Sequence, residues 1–250
     1  MFRPRIIPVL LLKDSGLVKT IRFKSHRYIG DPVNAVRIFN DLKADELVFL
    51  DIEASKKGRL ISLEIVREIG EEARMPITVG GGIRSIEDIS AIITAGAERV
   101  VINSHAVKDP DFIREASDTF GSTTIVVCID VKKNFFNGQR TWITGGTRST
   151  KYTATAFAQL MEKNGAGELI IQSIDRDGTM DGYDIELIKS VSTSVSIPVI
   201  ALGGAGKIED FQTAYSMGHA NGLAAGSFFV YQGKNRGVLI NYPDRDEVTF

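Results

Sequence analysis

The chain has 250 residues, of which 43 % are hydrophobic and 24 % charged, with a net charge of −1. This composition is typical of a soluble globular protein and argues against nucleic acid or an anionic membrane as a bulk partner. No stretch approaches the ~20 apolar residues of a membrane span, and the N-terminus has a strand pattern rather than that of a signal peptide. The only cysteine, Cys128, excludes a disulfide framework, and the three histidines share no ligand spacing. We therefore expect a cytoplasmic protein without a metal site or cofactor.

Strand and helix patterns alternate along the chain. The first strand is expected over residues 5–12, an apolar run of the kind that is buried on both faces. A polar, basic segment follows over residues 13–30, and its length favours a functional loop. Later strands are predicted over residues 46–52, 77–79, 99–102, 124–131, 169–174, 199–202 and 223–225. Helices are predicted from the Asp-Pro pairs at 31–32 and 109–110, over 60–73, 153–164, 184–195 and 208–217, and up to Ala95.

One segment departs from this alternation. Residues 134–147 contain Asn137-Gly138, a type I′ turn signal between two apolar pieces, and they predict a small hairpin after the fifth strand. The tail after Phe229 is short, and its pattern is ambiguous.

The sequence repeats at an offset of 122 positions, because the stretch 76–88 returns as 198–210. Each copy contains a strand, a glycine turn and a helix start, and the same offset relates residues 44–47 to 166–169. A half of this kind cannot close a sheet alone, whereas two halves can close a barrel. We predict one domain over residues 1–250, a (β/α)8 TIM barrel with half-barrels of about 1–121 and 122–250. A doubly wound open sheet is the alternative.

In such a barrel the chemistry lies at the C-terminal ends of the strands. Backbone amides of a side-chain-free turn at a helix start suit a phosphate, and Ser85 and Asp88 are expected to form a capping box after the first glycine turn. The candidate phosphate-binding residues are Gly81, Gly82, Asn103 and Ser104 for one group, and Asp177, Gly178, Gly203, Gly204, Gly226 and Ser227 for a second. The sequence thus predicts a substrate with a phosphate at each end; the alternative is that the glycines only form tight turns.

Asp130 follows an apolar run at the end of the predicted fifth strand. A carboxylate in this position is expected to have a raised pKa and to act as a general acid or base. The alternative role is a structural hydrogen bond to the mouth loops. Alignment of the two halves with a three-residue slip pairs Asp130 with Leu11, so the chain offers one carboxylate where an acid–base pair needs two.

Four charged residues stand at the opposite, N-terminal ends of predicted strands: Arg5, Glu46, Arg99 and Glu168. If they face inward, they form a ring of alternating sign across the barrel floor. One interpretation is a salt-bridge layer that closes the bottom and orders the strands. The other is a gate.

Over nearly its whole length the sequence resembles the cyclase subunit of imidazole glycerol phosphate synthase of histidine biosynthesis. The motifs that carry the resemblance are RIIP at 5–8, ADELVFLDI at 44–52, VGGGIRS at 79–85, DRDGTMDGY at 175–183 and GGAG at 203–206. The resemblance implies a (β/α)8 barrel with two phosphate sites and a HisH-type class I glutaminase on its floor. It also implies that ammonia enters past the four charged residues, with Arg99 where lysine is usual, and that Glu98 faces the glutaminase.

The departures from the family pattern lie mainly at the mouth. Asp130 matches one of the family's two catalytic aspartates, but Leu11 occupies the other position. Val101, Gln172 and Leu202 replace residues that are usually small and polar, and the final helix is expected to be curtailed. The sequence is therefore most similar to the branch of the family found in surface-glycan pathways. There the glutaminase and barrel supply ammonia to a sugar amidotransferase, which turns an acetamido group into an acetamidino group.

Three functions remain open from the sequence. The first is an ammonia-conducting subunit without cyclase activity of its own. The second is an active cyclase–lyase in which Asp51 or Asp177 replaces the missing aspartate. The third is a sugar-phosphate isomerase of the related histidine-pathway barrel, which also needs two mouth carboxylates. Free ammonium should support turnover only in the second.

Overall fold

The computed structural model describes residues 3–134, 138–233, 235–244 and 246–250. Its main sheet contains eight parallel strands that close on themselves, because the eighth strand pairs with the first. The barrel strands are β1 (Arg5–Lys13), β2 (Leu47–Asp51), β3 (Ile77–Gly80), β4 (Arg99–Ile102), β5 (Ile125–Asn134), β6 (Glu168–Ser173), β7 (Val199–Leu202) and β8 (Gly222–Ala225). The prediction of a (β/α)8 barrel is confirmed.

Helices cover the outside of the barrel. The α-helices are Pro32–Asp41, Ala54–Lys57, Leu63–Glu72, Ile86–Thr94, Ser104–Lys108, Asp111–Phe120, Ala154–Lys163, Ile185–Ser192 and Ile208–Ser216, and the 3-10 helices are Ser122–Thr124 and Ser227–Phe229. Asp31 caps the first helix by accepting a hydrogen bond from the amide of Asn34 at 2.9 Å, as the Asp-Pro pair predicts. None of the described helices is long and apolar enough to cross a membrane.

The predicted helix over 60–73 is wrong in its boundaries. The structure places a four-residue helix at Ala54–Lys57 and a longer helix at Leu63–Glu72. Gly58 ends the first of these in a left-handed conformation (φ 64°), and Ser62 begins the second by accepting a hydrogen bond from the amide of Ile65.

The segment 13–30 is a β-hairpin, not the loop that its polar composition predicts. Its strands are Gly16–Ile21 and Lys24–Gly30, and the first pairs antiparallel with β1, with Leu11 opposite Val18. The second strand is exposed along most of its length, which explains its polar sequence. The first strand is buried from Leu17 to Thr20, so the hairpin extends the sheet above the barrel.

The insertion after β5 is a hairpin, as predicted. β5 pairs antiparallel with a strand over Gly138–Ile143, with Asp130 opposite Trp142, and a short strand follows at Arg148–Ser149. The predicted type I′ turn involves Asn137, which lies outside the described residues.

The eighth strand is followed by a 3-10 turn and a short hairpin (Tyr231–Gln232 and Gly237–Val238), and no α-helix occurs in the described part of the tail. Aromatic side chains cover this side of the barrel: the ring of Phe229 stacks on Tyr242 at 5.6 Å and packs edge-on against Phe39 at 6.4 Å. The hydroxyl of Tyr242 also donates to the carbonyl of Ile6 at 2.9 Å, so the tail returns to the start of β1.

Equivalent hydrogen bonds recur at the repeat offset. The amide of Leu47 donates to the carbonyl of Pro76 and that of Leu169 to Pro198, each at 3.0 Å. The Asp88 carboxylate accepts from the amides at 84 and 85, and that of Asp210 from those at 206 and 207. The two-fold pattern in the sequence is therefore also a pattern in the backbone.

Candidate functional site

The C-terminal ends of the barrel strands surround one cavity, which we call the mouth. It encloses about 1290 Å³, including the part open to solvent. All eleven predicted catalytic and phosphate-binding residues line it: Gly81, Gly82, Asn103, Ser104, Asp130, Asp177, Gly178, Gly203, Gly204, Gly226 and Ser227. The structure thus brings together residues that lie as much as 146 positions apart in the sequence (227 − 81 = 146).

Asp130 lies near the end of the buried part of β5 and is 7 % exposed. The pKa of its carboxyl group is raised to about 7, mainly by burial and also by the nearby charge of Asp177. Hydrogen bonds with the Cys128 and Asn103 side chains act in the opposite direction and limit the shift. The thiol of Cys128 lies 3.6 Å from the Asp130 Oδ1 atom. A carboxyl group of this kind can both donate and accept a proton near neutral pH.

Leu11 lines the same cavity on β1, directly opposite Leu50 of β2. This part of the mouth is therefore apolar, and no second carboxylate stands where the repeat would place one. The two aspartates considered as replacements for this carboxylate already bind other protein groups. Asp51 forms an ion pair with Arg59 at 2.6 Å and accepts from the amides of residues 53 and 54.

Asp177 connects the mouth to the hairpin over residues 16–30. Its carboxylate accepts hydrogen bonds from the Thr20 hydroxyl at 2.7 Å and the Phe23 amide at 3.1 Å, and from Gln172 at 3.4 Å. Burial raises the pKa of Asp177, while these hydrogen bonds and the charge of Lys19 lower it. The carboxylate therefore holds the hairpin over the cavity rather than pointing freely at a substrate.

Lys19 is a mouth residue that the sequence reasoning missed. It lies on the buried strand of the hairpin, is 4 % exposed, and reaches the end of β8, where a methyl group on Gly226 would lie 2.6 Å from its Nζ atom. Burial lowers the pKa of Lys19 from 10.5 to about 7, although the charge of Asp177 raises it. The only available signal was the apolar pair Leu17-Val18 before it, which is typical of a buried strand.

The glycine turns offer free amides, but not at the helix starts. Ser85 and Asp88 form the predicted capping box, in which the amides of residues 84, 85 and 88 all have acceptors. The amides of Gly82 and Gly204 instead lie one turn earlier and donate to no acceptor among the described residues. Both glycines line the mouth, one in each half of the barrel, so each half has an amide that is free to donate to an anion.

These glycines are also required by packing. A methyl group on Gly82 would lie 1.9 Å from the carbonyl oxygen of Arg59, and one on Gly204 would lie 2.2 Å from that of Gly182. The alternative that these glycines only form tight turns therefore explains why they lack side chains, because the neighbouring backbone leaves no room for a Cβ atom. It does not account for the unpaired amides.

At the opposite end, four charged side chains form a closed ring, which we call the floor ring: Arg5, Glu46, Arg99 and Glu168. Each arginine pairs with both glutamates, so the ring contains four ion pairs. Both glutamates are buried, and the Thr78 hydroxyl donates a further hydrogen bond to Glu46 at 2.7 Å. Glu98 is exposed beside Arg99.

The interior between the floor ring and the mouth is apolar. It is filled by a second hydrophobic cluster, separate from the core beneath the helices: Ile7, Val9, Val48, Val101, Val126, Cys128, Ile170, Ile200, Leu202 and Ala224. Leu11 and Leu50 pack against its upper end. A charged species would lose its hydration in this interior, whereas a small neutral molecule would lose far less.

Comparisons with known proteins agree with this arrangement. The profile of a family described as "Histidine biosynthesis protein" matches residues 5–236. The chain is 46 % identical to the "Putative imidazole glycerol phosphate synthase subunit hisF2" of Pseudomonas aeruginosa over 98 % of this chain and 97 % of the relative. It is 46 % identical to a protein described as "Putative imidazole glycerol phosphate synthase subunit HisF" from Leptospira borgpetersenii, over 98 % and 96 %.

A third relative is the "Imidazole glycerol phosphate synthase subunit HisF" of Alkaliphilus metalliredigens, which is 44 % identical over 92 % of both chains. The family profile covers nearly all of the barrel, and these identities extend over both of its ends. The floor ring, the paired glycine turns and the mouth carboxylates are therefore parts of a barrel of the HisF family of synthase subunits, to which this chain belongs.

Proposed function

We propose that this chain docks a HisH-type class I glutaminase on the barrel floor and conducts ammonia to the mouth. The floor ring and the exposed Glu98 beside it support docking at this end, because they place charged side chains where a polar partner surface could pair with them. Ammonia released there would pass the ring and enter the apolar interior. Since this interior is packed, passage requires transient displacement of side chains.

The acceptor of the ammonia is proposed to be a sugar handled by a partner amidotransferase, with formation of an acetamidino group in a surface-glycan pathway. The observation that carries this proposal is Leu11, which lines the same cavity as Asp130 at the position where a second carboxylate would be expected. Loss of one member of an acid–base pair costs roughly 10²–10⁴ in rate. Conduction of ammonia needs no acid–base pair, so the floor ring and the apolar interior could still serve it without a second aspartate.

The alternative is the cyclase–lyase reaction of imidazole glycerol phosphate synthase. It is supported by the carboxyl group of Asp130, whose pKa of about 7 suits proton transfer, and by the amine of Lys19, which also titrates near neutral pH. Lys19 would then take the role of the absent aspartate. Asp51 and Asp177 are less suitable because their oxygens are already bound.

The deciding experiment is steady-state turnover of the ribulosyl-formimino-carboxamide ribotide with saturating ammonium and no glutaminase. Wild type, Leu11→Asp and Leu50→Asp are compared; the last places a carboxylate on the neighbouring strand at the paired position. We expect no wild-type turnover and activity only in Leu11→Asp. Wild-type turnover at an ordinary enzymatic rate of ~1–10³ s⁻¹ would establish the cyclase instead.

Docking is tested separately by the affinity of the HisH-type glutaminase for the barrel. Glu98→Lys reverses a charge on the floor, and Glu64→Lys reverses an exposed charge at the start of helix Leu63–Glu72, at the mouth end. We expect Glu98→Lys to weaken binding at least tenfold and Glu64→Lys to leave it unchanged. Equal affinities for both variants would place the glutaminase elsewhere.

A further inference from the structure

A lysine at the rim of the mouth has no partner. Lys56 lies in the short helix Ala54–Lys57 and lines the mouth, but it makes no ion pair or hydrogen bond with any residue that the structure describes. Its neighbour Lys57 is engaged with Asp14 at 3.0 Å and with Glu53 at 2.5 Å. One of two adjacent lysines therefore offers its charge to the cavity, and the other is already neutralised.

The ammonium group of Lys56 faces a turn of the insertion hairpin. A methyl group on Gly145 would lie 2.8 Å from the Lys56 Nζ atom. The turn consists of Thr144, Gly145 and Gly146, all in left-handed conformations with φ of 56°, 61° and 71°. The amides of both glycines donate to no acceptor in the described ranges. A cation and the free amide of Gly145 thus meet at one edge of the cavity.

This edge is close to Gly82, because a methyl group on Gly82 would lie 3.2 Å from the Cβ atom of Ala54, in the helix that carries Lys56. The amide of Thr144 donates to the Ser104 hydroxyl at 3.0 Å, which joins the turn to the end of β4. His105 follows and also lines the mouth, with its ring held against Phe112 at 4.8 Å. Burial lowers the pKa of His105, with opposing effects from nearby charges, and the ring nitrogens add hydrogen-bonding groups at this edge.

The two anion positions of the mouth therefore differ. At the end of β8 the only cation on the cavity, among the described residues, is the buried Lys19, whose pKa is lowered by burial and which lies near the Asp177 carboxylate. On the β3–β4 side the cavity is lined by Gly82, by Gly145 and by Lys56, which pairs with no described residue. A single phosphoryl group would leave this second set of donors unused.

We propose that the β3–β4 side of the mouth binds a diphosphate. The Gly82 amide would hold the inner phosphoryl group, and Lys56 with the amide of Gly145 would hold the outer one. The ligand class is then a sugar linked through a diphosphate. This inference rests on the proposed function in one respect, since it identifies the ligand of the mouth with the sugar that the partner amidotransferase handles.

The test compares the affinities of inorganic pyrophosphate and inorganic phosphate for the full chain by calorimetric titration. Wild type is compared with Lys56→Gln and with the matched control Lys57→Gln. We expect wild type and Lys57→Gln to bind pyrophosphate at least tenfold more tightly than phosphate. The second phosphoryl group of pyrophosphate would accept a hydrogen bond from the Lys56 ammonium group, and such a charge-assisted bond is stronger than a neutral one. Lys56→Gln should lose this preference while its phosphate affinity changes less than threefold.

An unchanged preference in Lys56→Gln, or no preference in the wild type, would overturn the inference. Because Lys56 is exposed, its substitution should leave the fold intact, which circular dichroism checks. The titration needs neither glutaminase nor ammonia. If the chain prefers pyrophosphate but does not bind the glutaminase, this inference holds and the proposed function fails. If it binds the glutaminase but shows no preference for pyrophosphate, the proposed function holds and this inference fails.

Discussion

The ammonium group of Lys19 donates a hydrogen bond to the carbonyl oxygen of Val9, and the two atoms lie 2.5 Å apart. Val9 belongs to β1, whereas Lys19 belongs to the hairpin that folds back over the same strand. The contact therefore places an amine inside the mouth from a segment that lies outside the barrel. No carboxylate within the described ranges forms an ion pair with it, so its charge is costly to bury.

Lys19 should make stability depend on pH above neutrality. Its pKa is about 7 in the folded chain and 10.5 as the ordinary value, so between these values the unfolded chain binds more protons and the free energy of unfolding rises with pH. The change is about 1.4 kcal/mol per pH unit. Between pH 7 and pH 9 we expect the wild type to gain roughly 2 kcal/mol relative to Lys19→Met, measured by urea unfolding.

The matched control for this measurement is Lys57→Met, which removes an exposed lysine on the barrel surface. The pKa of Lys57 is raised by its hydrogen bonds with Glu53 and Asp14, so it stays protonated in both states over this range. Its pH curve should run parallel to that of the wild type. Parallel curves for Lys19→Met as well would mean that the Lys19 amine is not desolvated.

Asp177 should determine whether the hairpin over residues 16–30 stays closed. Asp177→Ala removes the acceptor of the Thr20 hydroxyl and the Phe23 amide. We expect amide hydrogen exchange within residues 16–30 to become at least tenfold faster, since each lost hydrogen bond to a charged acceptor contributes about 1.5–3 kcal/mol. The rest of the barrel should exchange as before.

Asp175→Ala is the matched control for the hairpin. Asp175 lies two residues earlier in the same loop, and among the described residues its carboxylate accepts only from the amide of Lys133, at 2.8 Å. Its main-chain oxygen, which accepts from Arg22, is retained in either variant. Equal exchange rates in the two variants would show that the Asp177 carboxylate does not hold the hairpin.

The barrel and its mouth could be predicted because they depend on local patterns. β-branched runs such as residues 77–79 predict buried strands, and each glycine turn after a strand marks a mouth position. The repeat offset then relates the two halves without any knowledge of contacts. For these reasons all the predicted mouth residues line one cavity.

The parts that were missed depend on pairing between distant segments. The segment 13–30 is polar because one of its strands is exposed, and nothing local shows that Val18 pairs with Leu11. Lys19 and Lys56 look like surface residues in the sequence, although both reach the mouth. Burial of a lysine is set by tertiary packing, which residue type alone does not predict.

The floor ring should contribute strongly to stability even though its role as a gate is a proposal. Glu46→Gln removes one carboxylate from between two arginines and leaves their charges less compensated at a buried site. Breaking a buried pair in this way costs about 3–5 kcal/mol. We expect a loss of that size in the free energy of unfolding, measured in urea at pH 7.

Glu72→Gln is the control for the floor ring, because Glu72 forms a single, more exposed ion pair with Arg37 at 3.1 Å. Such pairs contribute about 0–1 kcal/mol. A loss in Glu46→Gln no larger than that in Glu72→Gln would show that the ring contributes no more than a surface pair. The ring could then open at little cost.

Asp130 should make stability fall as the pH rises from 4 to 7. The folded chain keeps this carboxyl group protonated to a pKa of about 7, while the ordinary value is 3.8. Between these values the folded chain binds more protons, so the free energy of unfolding decreases with pH. Asp130→Asn cannot ionise, and the wild type should lose roughly 3 kcal/mol relative to it across this range, because the slope of about 1.4 kcal/mol per pH unit falls off near each pKa.

The measurement is urea unfolding of both proteins at pH 4, 5, 6 and 7, with Asp118→Asn as the control. Asp118 is exposed on helix Asp111–Phe120, so this variant also lacks one carboxylate but should follow the wild-type curve. The difference between wild type and Asp130→Asn isolates one group, because all other carboxylates are shared. A constant difference from pH 4 to pH 7 would mean that Asp130 is already ionised at pH 4, and it could not then donate a proton at neutral pH.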